Sequence, residues 1–305
     1  MLTVADLTLI EMNTRLAGGG LTIAVNPFHV RLHSKIAGVA DAMRAMYADY
    51  VVIDDDELTD FHVSIRHGRG FRRFLGKPQS RFLFDGVEPF KPLPLAHAYP
   101  SFEWGVNWCV ANHSHQYLII HAAVVERGGR VAILAAPSGS GKSTLCAGLV
   151  NRGWRLFSDE LALIEVATGA IVPFPRPVCL KNESIDVIKG FATEAEFGRL
   201  VPDTRKGTIT HMRAPTDSVR RSLEAGLPGW ILFPRFEANE QTSFLPMTKA
   251  RAGYALAENA FNFSTLGEDG FSVVSRLVDA SDAYELDYGD LTDATRLLTE
   301  MADAA

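Results

Sequence analysis

The sequence predicts an α/β protein: a mixed-sheet core built around a Gly-rich loop, preceded by a smaller β-rich N-terminal region. Three observations carry this. Short runs before residue 115 alternate apolar and polar side chains, as in "FHVSI" (61–65). The apolar run "VAILAA" (131–136) leads straight into "PSGSGKST" (137–144) and then a helical pattern. Turn signals such as "RGGR" (127–130) and Thr168-Gly169 join neighbouring strands, so antiparallel pairs accompany parallel ones.

Residues 1–115 form the first region and 116–305 the second. In the first, "FHVSI" and "SRFLF" (80–84) read as strands, with "HGRG" (67–70) and Asp85-Gly86 as turns. Four prolines between Glu88 and Pro100 argue for an extended connector, and "FEWGVNWCVANHS" then reads as a helix. In the second, "YLIIHAAVVE" and "VAILAA" are strands of a hairpin. "KSTLCAGLVNRG" is a helix with Leu145, Leu149 and Val150 on one face, stopped at Gly153. "WRLFSDE" is the next strand, and "LALIEVATGAIVPF" a hairpin. "GWILFPRF" (229–236) is a later strand, with helices near 249–260, 271–279 and 291–301.

Composition bounds the function classes. In 305 residues, 47% are hydrophobic and 22% charged, which places the chain with globular proteins. A net charge of −6 argues against general nucleic-acid binding. Cys109, Cys146 and Cys179 are scattered and odd in number, so they write neither a disulfide framework nor a CxxC site, and a reducing cytoplasm is expected. No apolar run approaches the ~20 residues of a membrane span, and the first residues lack a signal-peptide pattern.

The Gly-rich stretch is the strongest signal. Gly139 and Gly141 let the backbone curl so that successive N–H groups converge on an anion. A helix starting near Lys142 adds its positive end. Lys142 supplies charge to the β/γ-phosphates, and the Ser143 hydroxyl suits Mg²⁺. The spacing is that of G-x-x-x-x-G-K-[ST], with Ala136 at the first glycine. A Ser/Gly linker would lack the apolar strand before it and the helix after it. Pro137, Ser138, Gly139, Ser140, Gly141, Lys142, Ser143 and Thr144 are therefore the expected nucleotide-binding residues.

"FSDE" places Asp159 and Glu160 at the end of the strand after the loop's helix. If that strand lies beside the loop-bearing one, both carboxylates reach the sheet edge that carries Lys142. One would then hold Mg²⁺ and the other accept a proton from an attacking hydroxyl; an ordinary acidic turn is the alternative. His121, inside an apolar strand, reads by itself as a hydrogen-bonded core residue. His113, His115 and His121 have no cysteine or carboxylate nearby to complete a zinc set.

Taken together, His121, "APSGSGKST" and "NRGWRLFSDE" resemble the HPr kinase/phosphorylase family, and beyond it the ATP-dependent phosphoenolpyruvate carboxykinases that share its core. The similarity covers roughly residues 117–175 and is nearest to the HPr-kinase-related proteins called kinase A, which accompany exosortase systems. The resemblance implies a P-loop core of the HPr kinase/carboxykinase type and phosphoryl transfer from ATP, or another nucleoside triphosphate, to a serine of a protein or peptide. It implies Asp159 as base, Lys142 on the transferring phosphoryl group, Ser143 and Glu160 on Mg²⁺, His121 as a supporting catalytic residue, and a homo-oligomer. Glu160 stands where HPr kinases have a second Asp. Thr144 stands where they carry an acidic residue, as in the carboxykinase loop. No Gly-Arg-Asn stretch is present, so one-way transfer is the expected activity. A small-molecule kinase and a non-catalytic nucleotide-sensing module are the alternatives.

Further candidates are weaker. Arg66, Arg69, Arg72, Arg73 and Lys77 read as a solvated hairpin face, with an acidic-peptide site as the alternative. "DTRKGTITH" (203–211) has the character of a loop that orders over a nucleotide, bringing Lys206 or His211 to phosphate or acceptor serine. Arg235, at a strand end, is a candidate phosphate contact. "ENAFNF" reads as core.

Overall fold

A computed structural model describes residues 1–54, 57–69, 76–137 and 139–304 of the chain. Helix α1 (Leu9–Ala17) begins at a Thr8–Glu11 capping box, where Thr8 Oγ1 accepts from the Glu11 N–H at 3.2 Å. Strands β1 (Leu21–Val25) and β2 (Phe28–Ser34) follow, then α2 (Val39–Met46), β3 (Phe61–His67), β4 (Gln79–Phe84) and the short β5 (Leu93–Pro94). These strands form one sheet in that order. Phe61, Val63 and Ile65 are buried and alternate with outward polar residues, as their period of two requires. Residues 70–75, with Gly70, Arg72 and Arg73, lie outside the described residues.

Helix α3 (Ala98–His113) begins earlier than the prolines suggest and takes in Pro100. Pro100 sits in the first turn, where the N–H it lacks would have had no partner inside the helix. The extended connector therefore ends before residue 98.

Strands β6 (Tyr117–Arg127) and β7 (Arg130–Ala135) form the expected hairpin, turning at Gly128 and Gly129, both at positive φ. Then come α4 (Lys142–Val150), β8 (Arg155–Ser158), β9 (Leu161–Glu165), β10 (Ile171–Val172), β11 (Val178–Lys181) and α5 (Glu183–Phe191). β12 (Val201–Thr204), β13 (Gly207–Met212), α6 (Thr216–Arg220), β14 (Leu227–Phe236) and β15 (Ser243–Pro246) follow. The chain closes with α7 (Lys249–Glu258), α8 (Phe263–Leu266), α9 (Glu268–Asp279), β16 (Asp282–Tyr288) and α10 (Leu291–Asp303).

The central eight-stranded sheet runs β10-β9-β6-β7-β14-β16-β15, with β8 also paired to β6. β14 is parallel to β7 and β16, whereas β6 is antiparallel to β7, β8 and β9, so the sheet is mixed. Its inner strands β6 and β7 are mostly apolar because both faces are covered. Along β6, Ile119, Ala123 and Val125 enter one apolar core, while Leu118, Ile120, Ala122 and Val124 enter a second one shared with Leu256 of α7 and Val273 of α9. The first of these cores includes residues from Val4 to Leu298, so it crosses the junction at residues 115 and 116. Helix α4 is buried nearly all round rather than on one face, packing α10 as well as the sheet.

Three expectations are corrected. β8 does not lie beside the loop-bearing β7, because β6 separates them. "DTRKGTITH" is not a loop: it is the β12–β13 hairpin of a three-stranded sheet, β11-β13-β12, with Gly207 turning it at positive φ. The "ENAFNF" aromatics are not all core: Phe261 is 54% exposed. Its segment runs along β6 instead, and the Phe261 N–H donates to the Ile119 carbonyl at 2.8 Å.

Candidate functional site

Register explains how distant residues reach one place. β7 ends at Ala135, which pairs with Ala122 of β6, so the Gly-rich loop starts at that level. On the other side of β6, Ser158 pairs with Val124 and Leu161 with His121. Asp159 and Glu160 fall in the gap between β8 and β9, level with Ala122 and Ala123. Loop, His121 and both carboxylates therefore meet around the middle of β6, although β8 is one strand removed from β7.

The loop is pinned on its far side by β14 and β16. The Phe236 N–H donates to the Ser140 carbonyl at 3.1 Å, and the Tyr288 hydroxyl donates to the Gly141 carbonyl at 3.0 Å. Gly141 caps α4 at φ +87°. A Cβ there would meet the Tyr288 hydroxyl and come within 2.9 Å of Phe236 Cβ, so only glycine fits. Beyond it, the first-turn N–H groups of α4 point out of the helix with no carbonyl of their own helix to bond. Ser138 lies outside the described residues.

Lys142 is the first residue of α4 and is only 7% exposed. Its Nζ donates to the Ala136 carbonyl at 3.1 Å and the His121 carbonyl at 3.3 Å. Burial pulls its pKa down to about 8, against the pull of Asp159 and Glu160. Burial, then the Lys142 charge, bring His121 down to about 4, so its ring is neutral near pH 7.

Asp159 is held by the third sheet. Its Oδ2 accepts from the Cys179 N–H of β11 at 2.9 Å, while Oδ1 is shielded and has no partner among the described residues. Burial raises its pKa; the Cys179 N–H and the Ser143 hydroxyl oppose the rise, and Glu160 adds to it. Glu160 is more open. Its Oε2 accepts from Asn107 Nδ2 at 2.5 Å, and its Oε1 faces Lys206 Nζ at 3.9 Å. Ser143, Asp159 and Glu160 thus present hydroxyl and carboxylate oxygens at the head of α4, the donor type of a hard cation.

The remaining sequence candidates divide. Lys206, on the β12–β13 turn, reaches the site through Glu160. His211 is 2% exposed in β13, packs edge-on to Tyr99 at 5.2 Å, and leaves its Nε2 without a partner among the described residues. Burial, then Arg176, lower its pKa to about 3. Its ring and Asp159 line one small cavity of about 20 Å³, the size of a single water molecule. Arg235, beside the Phe236 that bonds the loop, is 65% exposed and pairs with Asp287 at 2.7 Å.

Sequence reading missed Asn107, Glu103 and Arg176. Asn107 and Glu103 stand one turn apart on α3, and buried Arg176 bonds both. A carboxylate in the helical, mostly apolar stretch "FEWGVNW" was the available signal, since such a charge is buried only with a partner.

Residues 106–178 match a family model described as SynChlorMet cassette protein ScmC. The matched segment starts inside α3 and ends at the first residue of β11. It contains Asn107, His121, the loop, Asp159, Glu160 and Arg176, but not Lys206 or His211. No curated protein matches the chain.

Proposed function

We propose that this chain is an ATP-dependent serine kinase with a P-loop core of the HPr kinase/carboxykinase type, acting on a protein or peptide. The observation that carries the reading is Asp159. A shielded carboxyl, anchored through one oxygen and unpartnered at the other, stands level with Lys142 and Ser143 at the mouth of a Gly-rich loop. A nucleotide-sensing module needs the loop but has no use for such a base.

The residues divide the work as follows. The first-turn N–H groups of α4 and the Lys142 ammonium hold the phosphates of ATP. Mg²⁺, which keeps water ligands and takes one or two protein oxygens, fits the Ser143 hydroxyl and Glu160, and when bound it offsets phosphate charge. Asp159 accepts the proton of the acceptor serine as that oxygen forms its bond to the γ-phosphorus and the bond to the β-phosphate oxygen breaks. Its raised pKa brings it nearer the range in which a base is effective. Lys142 counters the charge of the transferring group, and neutral His121 lines the same face without adding a cation. The matched segment, residues 106–178, holds every one of these groups.

The test is intact-mass spectrometry of small proteins and peptides from the source cell, incubated with this protein and Mg-ATP. The Asp159→Asn protein is the control. A phosphate-sized gain with wild type alone supports the kinase; tight ATP binding with no gain on any peptide overturns it.

A further inference from the structure

A buried polar chain runs from the N-terminal region to the site and ends on Glu160. The Tyr47 hydroxyl donates to Glu103 Oε1 at 2.9 Å, and Glu103 is 3% exposed. Arg176 Nη1 lies 3.4 Å from Glu103 Oε2 and donates to the Glu103 carbonyl at 3.2 Å. Arg176 Nη2 donates to Asn107 Oδ1, and Asn107 Nδ2 donates to Glu160 Oε2 at 2.5 Å.

The guanidinium decides the direction of the chain. Arginine has only donors, so the side of Asn107 facing Arg176 must be its carbonyl oxygen. The NH₂ group is thereby turned to Glu160, and the usual ambiguity of an amide flip is removed. Arg176 cannot swing away, because it is 7% exposed and its charge is paired with Glu103 in a buried setting. Glu160 is consequently gripped from behind at Oε2, leaving Oε1 toward Lys206.

We infer that Asn107 is a positioning residue, oriented by Arg176 and Glu103, which holds Glu160 toward the nucleotide's metal; helix α3 of the N-terminal region is thus part of the site. The functional side of this inference rests on the kinase reading, in which Glu160 takes Mg²⁺. Outer partners of metal-holding side chains change metal affinity by about 10–100-fold when removed.

Two measurements on the full chain test it. The first needs no nucleotide: carbodiimide labelling of carboxyl groups, read by peptide mass spectrometry, with exposed Glu237 as internal reference. Releasing Glu160 in Asn107→Ala raises its labelling several-fold relative to Glu237; an unchanged ratio overturns the inference. Where Asn107→Ala fails to fold, Asn107→Asp keeps an acceptor for Arg176 while removing the donor to Glu160, and the same rise is expected. The second is Mn²⁺ affinity in the presence of a non-transferable ATP analogue, for Asn107→Ala, Glu160→Ala and the double variant. Asn107→Ala weakens Mn²⁺ about 10–100-fold, and the double variant is no weaker than Glu160→Ala alone. Losses that multiply show that Asn107 does not act through Glu160 and overturn the positioning role. A wild-type protein that binds no nucleotide refutes the kinase reading, while the labelling ratio still decides whether Asn107 holds Glu160.

Discussion

The Cys179 N–H donates to Asp159 Oδ2 at 2.9 Å, tying strand β11 to the turn between β8 and β9. This one bond makes the three-stranded sheet a wall of the site. It fixes one carboxylate oxygen and leaves Oδ1 without a partner among the described residues. The same strand carries Lys181, whose charge bears on Asp159, Lys142 and His121.

Asp159→Asn removes the proposed proton acceptor while keeping an oxygen for the Cys179 N–H. Phosphoryl transfer is expected to vanish, with Mg-nucleotide affinity within a few-fold of wild type. Single-turnover transfer and calorimetric nucleotide titration read the two separately. Unimpaired turnover removes the base assignment.

Lys142→Ala leaves the Ala136 and His121 carbonyls without their donor and takes a preorganised charge from the loop. The expected loss in transfer rate is of the order of 10²-fold or more, by comparison with other preorganised donors. An unchanged rate places the loop away from the reaction centre.

Gly141→Ala forces a side chain into φ +87° and against Tyr288 and Phe236. The left-handed backbone alone costs about 1–2 kcal/mol, and the overlap adds to it. The loop must shift, so both the unfolding midpoint and nucleotide affinity fall. Gly139→Ala shares the positive φ but meets open space, and its cost is the smaller of the two. Urea unfolding and nucleotide titration of the pair check the order.

His211 supplies a pH signature. Its pKa is lowered from 6.5 to about 3 by burial, so the unfolded chain binds the proton more readily. The neutral ring's contribution is whole above pH 6.5 and is lost progressively as pH falls toward 3. Replacing the ring by a group that does not titrate, as in His211→Gln, makes the urea midpoint fall less steeply across that window. Equal slopes for the two proteins count against the burial of a neutral ring.

Much of the central sheet was legible because its strands are covered on both faces and read as apolar runs, from "YLIIHAAVV" to "VAILAA". The β6–β7 hairpin announced itself through two glycines at positive φ. Pro100 misled because a proline's effect depends on its place: inside a helix it breaks, in the first turn it is harmless. "DTRKGTITH" misled because, although Gly207 turns a local β12–β13 pair, the β11 strand that β13 also pairs with lies more than twenty residues earlier. Phe261 misled because its segment follows β6 rather than packing as a helix face.

The sequence by itself determined the strand, the Gly-rich loop and the helix that follows, and the chain order of His121, loop and carboxylates. Those features rest on backbone preference and periodicity, which act over a few residues. Only the tertiary structure decided that Asp159 is shielded and anchored by Cys179, and that Asn107 reaches Glu160 from 53 positions away and Arg176 reaches Asn107 from 69. Burial and hydrogen-bond partners are set by which distant elements pack together, and those are the quantities that fix the protonation and orientation of a reacting group.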